Sequence, residues 1–124
     1  MGQKILAVDD DVDILDALKH VLYYGGYEVL TTINADDIIT QVEHYKPHLI
    51  LLDIMLSGKD GRQVCRQLKT NITTKKIPVI MISATPGLPQ DILSCGAEDF
   101  IAKPFDINDL LDRIAKKISP SKIK

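Results

Sequence analysis

Short apolar runs alternate with segments whose apolar positions recur every three to four residues, and this alternation continues along almost the whole chain. Lys4–Val8 (KILAV) predicts a strand. Over 12–24 the apolar residues Ile14, Leu15, Leu18, Val21 and Leu22 form the stripe of an amphipathic helix. Gly25-Gly26 ends that helix, because glycine accepts the left-handed conformation such ends need. A second strand is expected over 27–32. Asn34 is expected to cap a helix that runs to about Tyr45, ahead of Pro47. His48–Leu52 (HLILL) predicts a strand apolar on both faces, as suits a strand covered by helices on each side. A helix over about 61–69, a strand over 77–82, a Pro-punctuated helix candidate over Pro86–Cys95 and a strand over 99–102 follow. Asp106 caps a last helix to about Ile118, with Ile107, Leu110, Leu111, Ile114 and Ile118 inward.

Five such strand–helix units, each about 20–25 residues long, force parallel strands with right-handed crossovers. The expected fold class is α/β: a three-layer sandwich around a five-stranded parallel sheet in order 2-1-3-4-5, with five helices, flavodoxin-like. At 124 residues the chain suits one domain, 1–124, with a core over about 3–118 and a polar tail over 119–124. The helix at Pro89–Cys95 is expected to be short and to start late. Residues before proline avoid helical geometry, which disfavours Thr85 and Leu88, and Pro89 suits a first turn.

Composition removes whole classes of function. The net charge of -2 is spread along the chain, so no basic block points to nucleic acid. No apolar run reaches the roughly 18–20 residues of a membrane span. The start of the chain does not read as a signal peptide, and Leu6 breaks a myristoylation pattern. Cys65 and Cys95 lack zinc-type spacing and read as free, partly buried thiols of a reducing compartment. The expectation is a cytoplasmic, soluble protein.

The candidate chemistry lies where the strands end. Asp9, Asp10 and Asp11 follow the first strand, Asp53 ends the third, Ser83 ends the fourth and Lys103 follows the fifth. In a parallel sheet of this order all of them fall on one carboxyl edge, at the switch point between the first and third strands. The second strand, outside that crevice, ends in neutral Thr31-Thr32. Taken singly the residues have plain readings: Asp11 as a helix N-cap, Lys103 as a surface cation, Ser83 as a strand-end hydroxyl, Phe100 as a half-buried strand residue. Asp53 is harder to explain so, because a carboxylate ending an apolar strand gains nothing from the core. Crowded carboxylates need a proton or a cation among them, and a hard ion such as Mg²⁺ suits their oxygens. A lysine and a hydroxyl opposite suggest a transient phosphoryl guest, with Asp53 as the carboxylate nucleophile.

The segments ILAVDDD, LILLDIM, Asp60-Gly61, MISA, GAEDF and KPF, in this order, closely resemble the receiver domains of bacterial two-component response regulators. The resemblance implies that Asp53 is phosphorylated by a sensor histidine kinase or a histidine phosphotransfer protein. It implies Mg²⁺ held by Asp10 directly, by Asp9 through water, by Asp53 and by the backbone carbonyl of Met55. Ser83 would sense the phosphoryl group, Lys103 would pair with it, and Phe100 would report the state through its rotamer. The face made by the fourth helix, fifth strand and last helix would then bind a downstream protein or an output domain outside this sequence. The protein would be a signalling module that catalyses its own phosphorylation and dephosphorylation rather than an enzyme, monomeric or dimerising on phosphorylation. Lys103-Pro104 would be cis. Two departures stand out: Ser57 where proline is usual and Lys59 where an apolar residue is common. The stretch from Ser83 to Gly96 is also shorter than usual. The alternative is an aspartate-nucleophile phosphohydrolase of the haloacid dehalogenase type, whose DxD motif Asp9-Asp10-Asp11 imitates, although position 13 is Asp. Flavin phosphate would be repelled by the three aspartates. An EF-hand starting at Asp9 fails at Ile14 and His20.

Overall fold

The computed structural model describes residues 2–56, 58–84 and 93–118. The strands of the main sheet are β1 (Lys4–Val8), β2 (Glu28–Thr32), β3 (Leu49–Asp53), β6 (Val79–Ser83) and β7 (Asp99–Ala102), ordered β2-β1-β3-β6-β7 and all parallel. That is the 2-1-3-4-5 order expected from the alternation. A two-stranded antiparallel hairpin, β4 (Met55–Leu56) with β5 (Lys59–Asp60), projects beyond the end of β3.

Four helices are present among the described residues: α1 (Val12–Tyr24), α2 (Ile38–Tyr45), α3 (Gly61–Thr70) and α4 (Ile107–Ile118). The fifth expected helix, Pro89–Cys95, falls mostly on residues 85–92, outside the described part, as do Ser57 and the tail 119–124.

The period-two alternation of the strands divides the core in two. Ile5, Ala7, Leu49, Leu51, Ile80 and Ile82 pack under α1 and α4, against Leu15, Leu18, Leu22, Leu110 and Ile114. Leu6, Val8, Ile50, Leu52, Val79 and Met81 face α2 and α3, against Ile38, Val42, Val64 and Leu68. Both faces of β1, β3 and β6 are therefore buried, and these strands have little freedom to slip: a one-residue shift would exchange the two faces.

Most helix ends follow the side chains expected to set them. Asp11 caps α1, accepting from the backbone N–H groups of Asp13 at 2.9 Å and Ile14 at 3.4 Å. Asp106 does the same for Asn108 at 2.8 Å and Asp109 at 3.3 Å. Gly26 takes the left-handed turn after α1, at φ 95°. Two expectations are corrected. Asn34 does not cap α2; its side-chain oxygen accepts from the Asp36 N–H at 2.8 Å, closing a local turn. The helix begins only after Asp37, which sits at φ 55° without a side-chain cap. Ile107, expected inward, is half exposed because it occupies the opening turn of α4 ahead of the packed positions Leu110 and Ile114.

Candidate functional site

The register of the sheet brings the acidic residues together. β1 and β3 pair as Ile5↔Leu49 through Val8↔Leu52, so one residue further Asp9 stands beside Asp53. Both carboxylates continue the face that lies under α1, and both are buried, at 2% and 4% exposure. Asp10, the next residue, is exposed at the rim. One carboxylate oxygen each from Asp9, Asp10 and Asp53 lies within 4.8 Å of the others. Three hard oxygen donors so close, two of them desolvated, form a set suited to a small divalent ion such as Mg²⁺.

Lys103 supplies a positive charge to this group. Its Nζ lies 2.9 Å from Asp9 Oδ2 and 3.4 Å from Asp53 Oδ1. Its backbone N–H donates to the Ser83 carbonyl at 2.8 Å, which joins the end of β7 to the end of β6. Lys103-Pro104 is cis, as expected. Burial pulls the Lys103 ammonium pKa down, but the hydrogen bond to Asp9 and the charges of Asp53 and Asp9 outweigh it, and the net shift is upward.

Asp53 is the perturbed acid of the site. Burial, then the neighbouring Asp9 charge, push its pKa up to about 6. Lys103 and a hydrogen bond with the Met55 backbone oppose this without cancelling it. In the metal-free protein Asp53 therefore carries a folding penalty when ionised. The penalty is absent below the unfolded pKa near 3.8, grows as pH rises, and is complete above about 6. Asp53→Asn is accordingly expected to stabilise the metal-free protein by about 1–3 kcal/mol at neutral pH and by little at pH 4. Urea unfolding in a chelator at both pH values measures this. A gain that does not grow with pH would mean that charge is not its cause.

Each residue singled out in the sequence can be placed. Asp9, Asp10, Asp53 and Lys103 meet. Ser83 ends β6, 2% exposed, and pairs with Ala102 across the sheet. Phe100 is half-buried in β7, opposite Met81, and packs against the core on the α2–α3 side. Met55 lies in the hairpin with its side chain 62% exposed, its backbone turned to Asp53.

The contacts that Gly61 and Lys59 make beside the site are not legible in the sequence. Gly61, the first residue of α3, sits against the end of β3: a Cβ there would overlap the Asp53 carbonyl oxygen and lie 2.8 Å from Ile54 Cα. The Gly61 N–H donates to the Ile54 carbonyl at 2.7 Å. Lys59 forms an ion pair with Asp36 at 3.1 Å, tying the hairpin to the loop before α2. A paired hairpin over 55–60 has no period-two run to announce it, and Asp36 lies far from Lys59 in sequence.

A model of the response regulator receiver domain family matches residues 5–115. The chain belongs to that family. Solved receivers superpose on it closely. A CheY-like receiver domain protein from Methanospirillum hungatei is 31% identical, with a TM-score of 0.86 over 95% of this chain and 94% of that one. The receiver domain of the sensor histidine kinase PA1611 from Pseudomonas aeruginosa is 25% identical, TM-score 0.86, over 95% and 98% of the two chains. That structure has a magnesium ion coordinated in its active-site cleft. The BeF3-activated receiver domain of RstA from Klebsiella pneumoniae is 29% identical, TM-score 0.85, over 94% and 98%. This protein is a receiver domain of two-component signalling, and nothing in these matches favours the phosphohydrolase alternative. No helix among the described residues is long and apolar enough to cross a membrane.

Proposed function

We propose that Asp53 is the phosphoacceptor of this receiver, supported by Mg²⁺ at Asp10, Asp53 and the Met55 carbonyl, with Asp9 acting through water. The observation that carries this reading is the buried, charge-crowded Asp53 carboxylate with Asp9 and Lys103 against it. An Asp53 oxygen attacks phosphorus, the bond from phosphorus to the donor nitrogen breaks, and the histidine imidazole leaves with a proton. Mg²⁺, when bound, supplies positive charge to the phosphoryl oxygens. Lys103 supplies it from the other side, and Ser83 hydrogen-bonds one of those oxygens. Asp9 suits a role through water because both of its oxygens are engaged, Oδ1 by the Asp11 N–H at 3.0 Å and Oδ2 by Lys103.

The donor is a sensor histidine kinase or a histidine phosphotransfer protein in the cytoplasm, and residues 1–124 act as one receiver domain. Phosphorylation moves Ser83 and Phe100 and so alters the face around β7 and α4 that a downstream protein or output domain reads. The chain catalyses its own phosphorylation and dephosphorylation and turns over no other substrate.

Acetyl phosphate with Mg²⁺ is expected to add one phosphoryl mass, mapped to Asp53 and absent in Asp53→Asn or in excess chelator. Label on another residue, or undiminished label in Asp53→Asn, would remove Asp53 from this role. Asp10→Ala should weaken Mg²⁺ binding about tenfold or more, read by NMR shift titration. Unchanged affinity would exclude Asp10 from the metal's ligands.

A further inference from the structure

The phosphoryl site leaves one reactive pair of the core unused. Cys65, on the inner face of α3, is fully buried, and Cys95, just ahead of β7, is 3% exposed. The Cys65 Sγ donates to the Cys95 carbonyl oxygen at 3.7 Å, which sets the Cys65 thiol directly against the Cys95 residue. Neither is in a disulfide. The surrounding chain is held close to α3 by contacts independent of sulfur. Gly96 follows at φ 100°, where an added Cβ would come 3.0 Å from Lys69 Cγ. Lys69 Nζ meets Glu98 Oε2 at 2.8 Å and the Ile77 carbonyl at 2.9 Å. Glu98 Oε1 in turn accepts from the Val79 N–H at 2.8 Å.

We propose that Cys65 and Cys95 are a redox pair that closes to an intramolecular disulfide when hydrogen peroxide reaches the native fold, bolting α3 to the chain entering β7. With the Cys65 sulfur already against the Cys95 backbone, rotation of the two side chains is the movement that brings sulfur to sulfur. Cys95 is the attacking sulfur. It is the less deeply buried of the two, and the hydrogen bond from Cys65, opposed by burial, draws its thiol pKa down, with a further hydrogen bond to the Ala97 backbone. The Cys95 thiolate attacks one peroxide oxygen, the O–O bond breaks, and the departing hydroxide takes up a proton to leave as water, giving a sulfenic acid on Cys95. The Cys65 sulfur then attacks the Cys95 sulfur, the S–O bond breaks, and the hydroxyl leaves with the Cys65 proton as a second water. Two thiols are oxidised by two electrons and one peroxide is reduced to two waters. The bridge joins the helix that carries Gly61 against Asp53 to the strand that carries Phe100.

The test treats the native, reduced full chain with hydrogen peroxide at a dose that cross-links the guanidinium-unfolded chain. Remaining thiols are then alkylated under denaturing conditions, and the protein is mapped by mass spectrometry without reduction. The expected result is a monomer that has lost two hydrogens, yields a linked Cys65–Cys95 peptide and takes up no alkylating agent. Cys65→Ser is expected to accumulate a sulfenic acid on Cys95 that dimedone traps. Two alkylatable thiols in the treated wild-type protein, sulfinic or sulfonic acid in place of the cross-link, or a disulfide between two chains would each overturn the proposal. Dimedone trapping absent at Cys95 in Cys65→Ser would overturn the assigned order of attack.

Discussion

Lys103→Met is expected to slow phosphoryl uptake from acetyl phosphate by about 10²–10³-fold, a loss typical of removing one aimed electrostatic contact from a transition state. The lysine has two duties at the site. In the metal-free protein its Nζ lies between two buried carboxylates, 2.9 Å from Asp9 and 3.4 Å from Asp53. In the proposed phosphoryl transfer, the same ammonium beside Asp53 turns to the incoming oxygens. These duties predict opposite effects on two measurements. Removing the cation leaves the acidic group more negative, so Mg²⁺ should bind more tightly to Lys103→Met than to the wild type. The rate of phosphoryl uptake should fall even at saturating Mg²⁺. Tighter metal binding with a collapsed rate separates loss of Lys103 from loss of the fold, because a misfolded site would lose both. Lys103→Arg should restore only part of the rate, since the planar guanidinium is larger and its donors are differently aimed. A Lys103→Met rate within threefold of wild type would show that the metal alone carries the charge.

Gly61→Val is expected to destabilise the domain by about 3–5 kcal/mol, and Gly61→Ala by somewhat less. The cost comes from contact with backbone, not with a side chain that can turn aside. A Cβ at this position would overlap the Asp53 carbonyl oxygen and stand 2.8 Å from Ile54 Cα and 2.9 Å from the Asp53 carbonyl carbon. Either α3 must back away from the sheet, breaking the 2.7 Å hydrogen bond from Gly61 to Ile54, or the end of β3 must move. The second outcome displaces Asp53 itself, the proposed phosphoacceptor. At this chain length the expected lowering of Tm is about 3–6 °C per kcal/mol, more than about 10 °C in all. Thermal unfolding followed by circular dichroism measures the loss. Phosphoryl uptake well below the unfolding range measures how far Asp53 has moved. A Gly61→Val protein that melts within 2–3 °C of wild type would mean that the helix start yields easily.

Much of the architecture was legible in the sequence because the physics that sets it is local or periodic. The alternation of short apolar runs with helical stripes determined a parallel α/β sheet. The run at 48–52, apolar on both faces, determined that β3 is buried on both faces, as it is. Asp11 and Asp106 were recognisable as caps because a cap is chosen by residues within one turn of it. Asn34 misled for a related reason: the same side chain can close a turn on Asp36 instead, and nothing nearby in the sequence decides between the two. Ile107 fitted the inward stripe by periodicity, yet the opening turn of α4 leaves it half exposed.

The list of acids at the strand ends was also readable, since in a parallel sheet strand ends share an edge whatever the details. What tertiary structure alone decided is how they meet. The register of β1 on β3 sets Asp9 beside Asp53, and burial of Asp53 together with the Asp9 charge raises the Asp53 pKa. Lys103 comes 94 positions along the chain to stand against Asp9. Gly61 must be glycine because the turn from β3 through the β4–β5 hairpin brings α3 back onto the Asp53 carbonyl. These are contacts between segments distant in sequence or folded back on themselves. A residue's own type and near neighbours determine its propensity and its face, but the charges and atoms that surround it are supplied by packing.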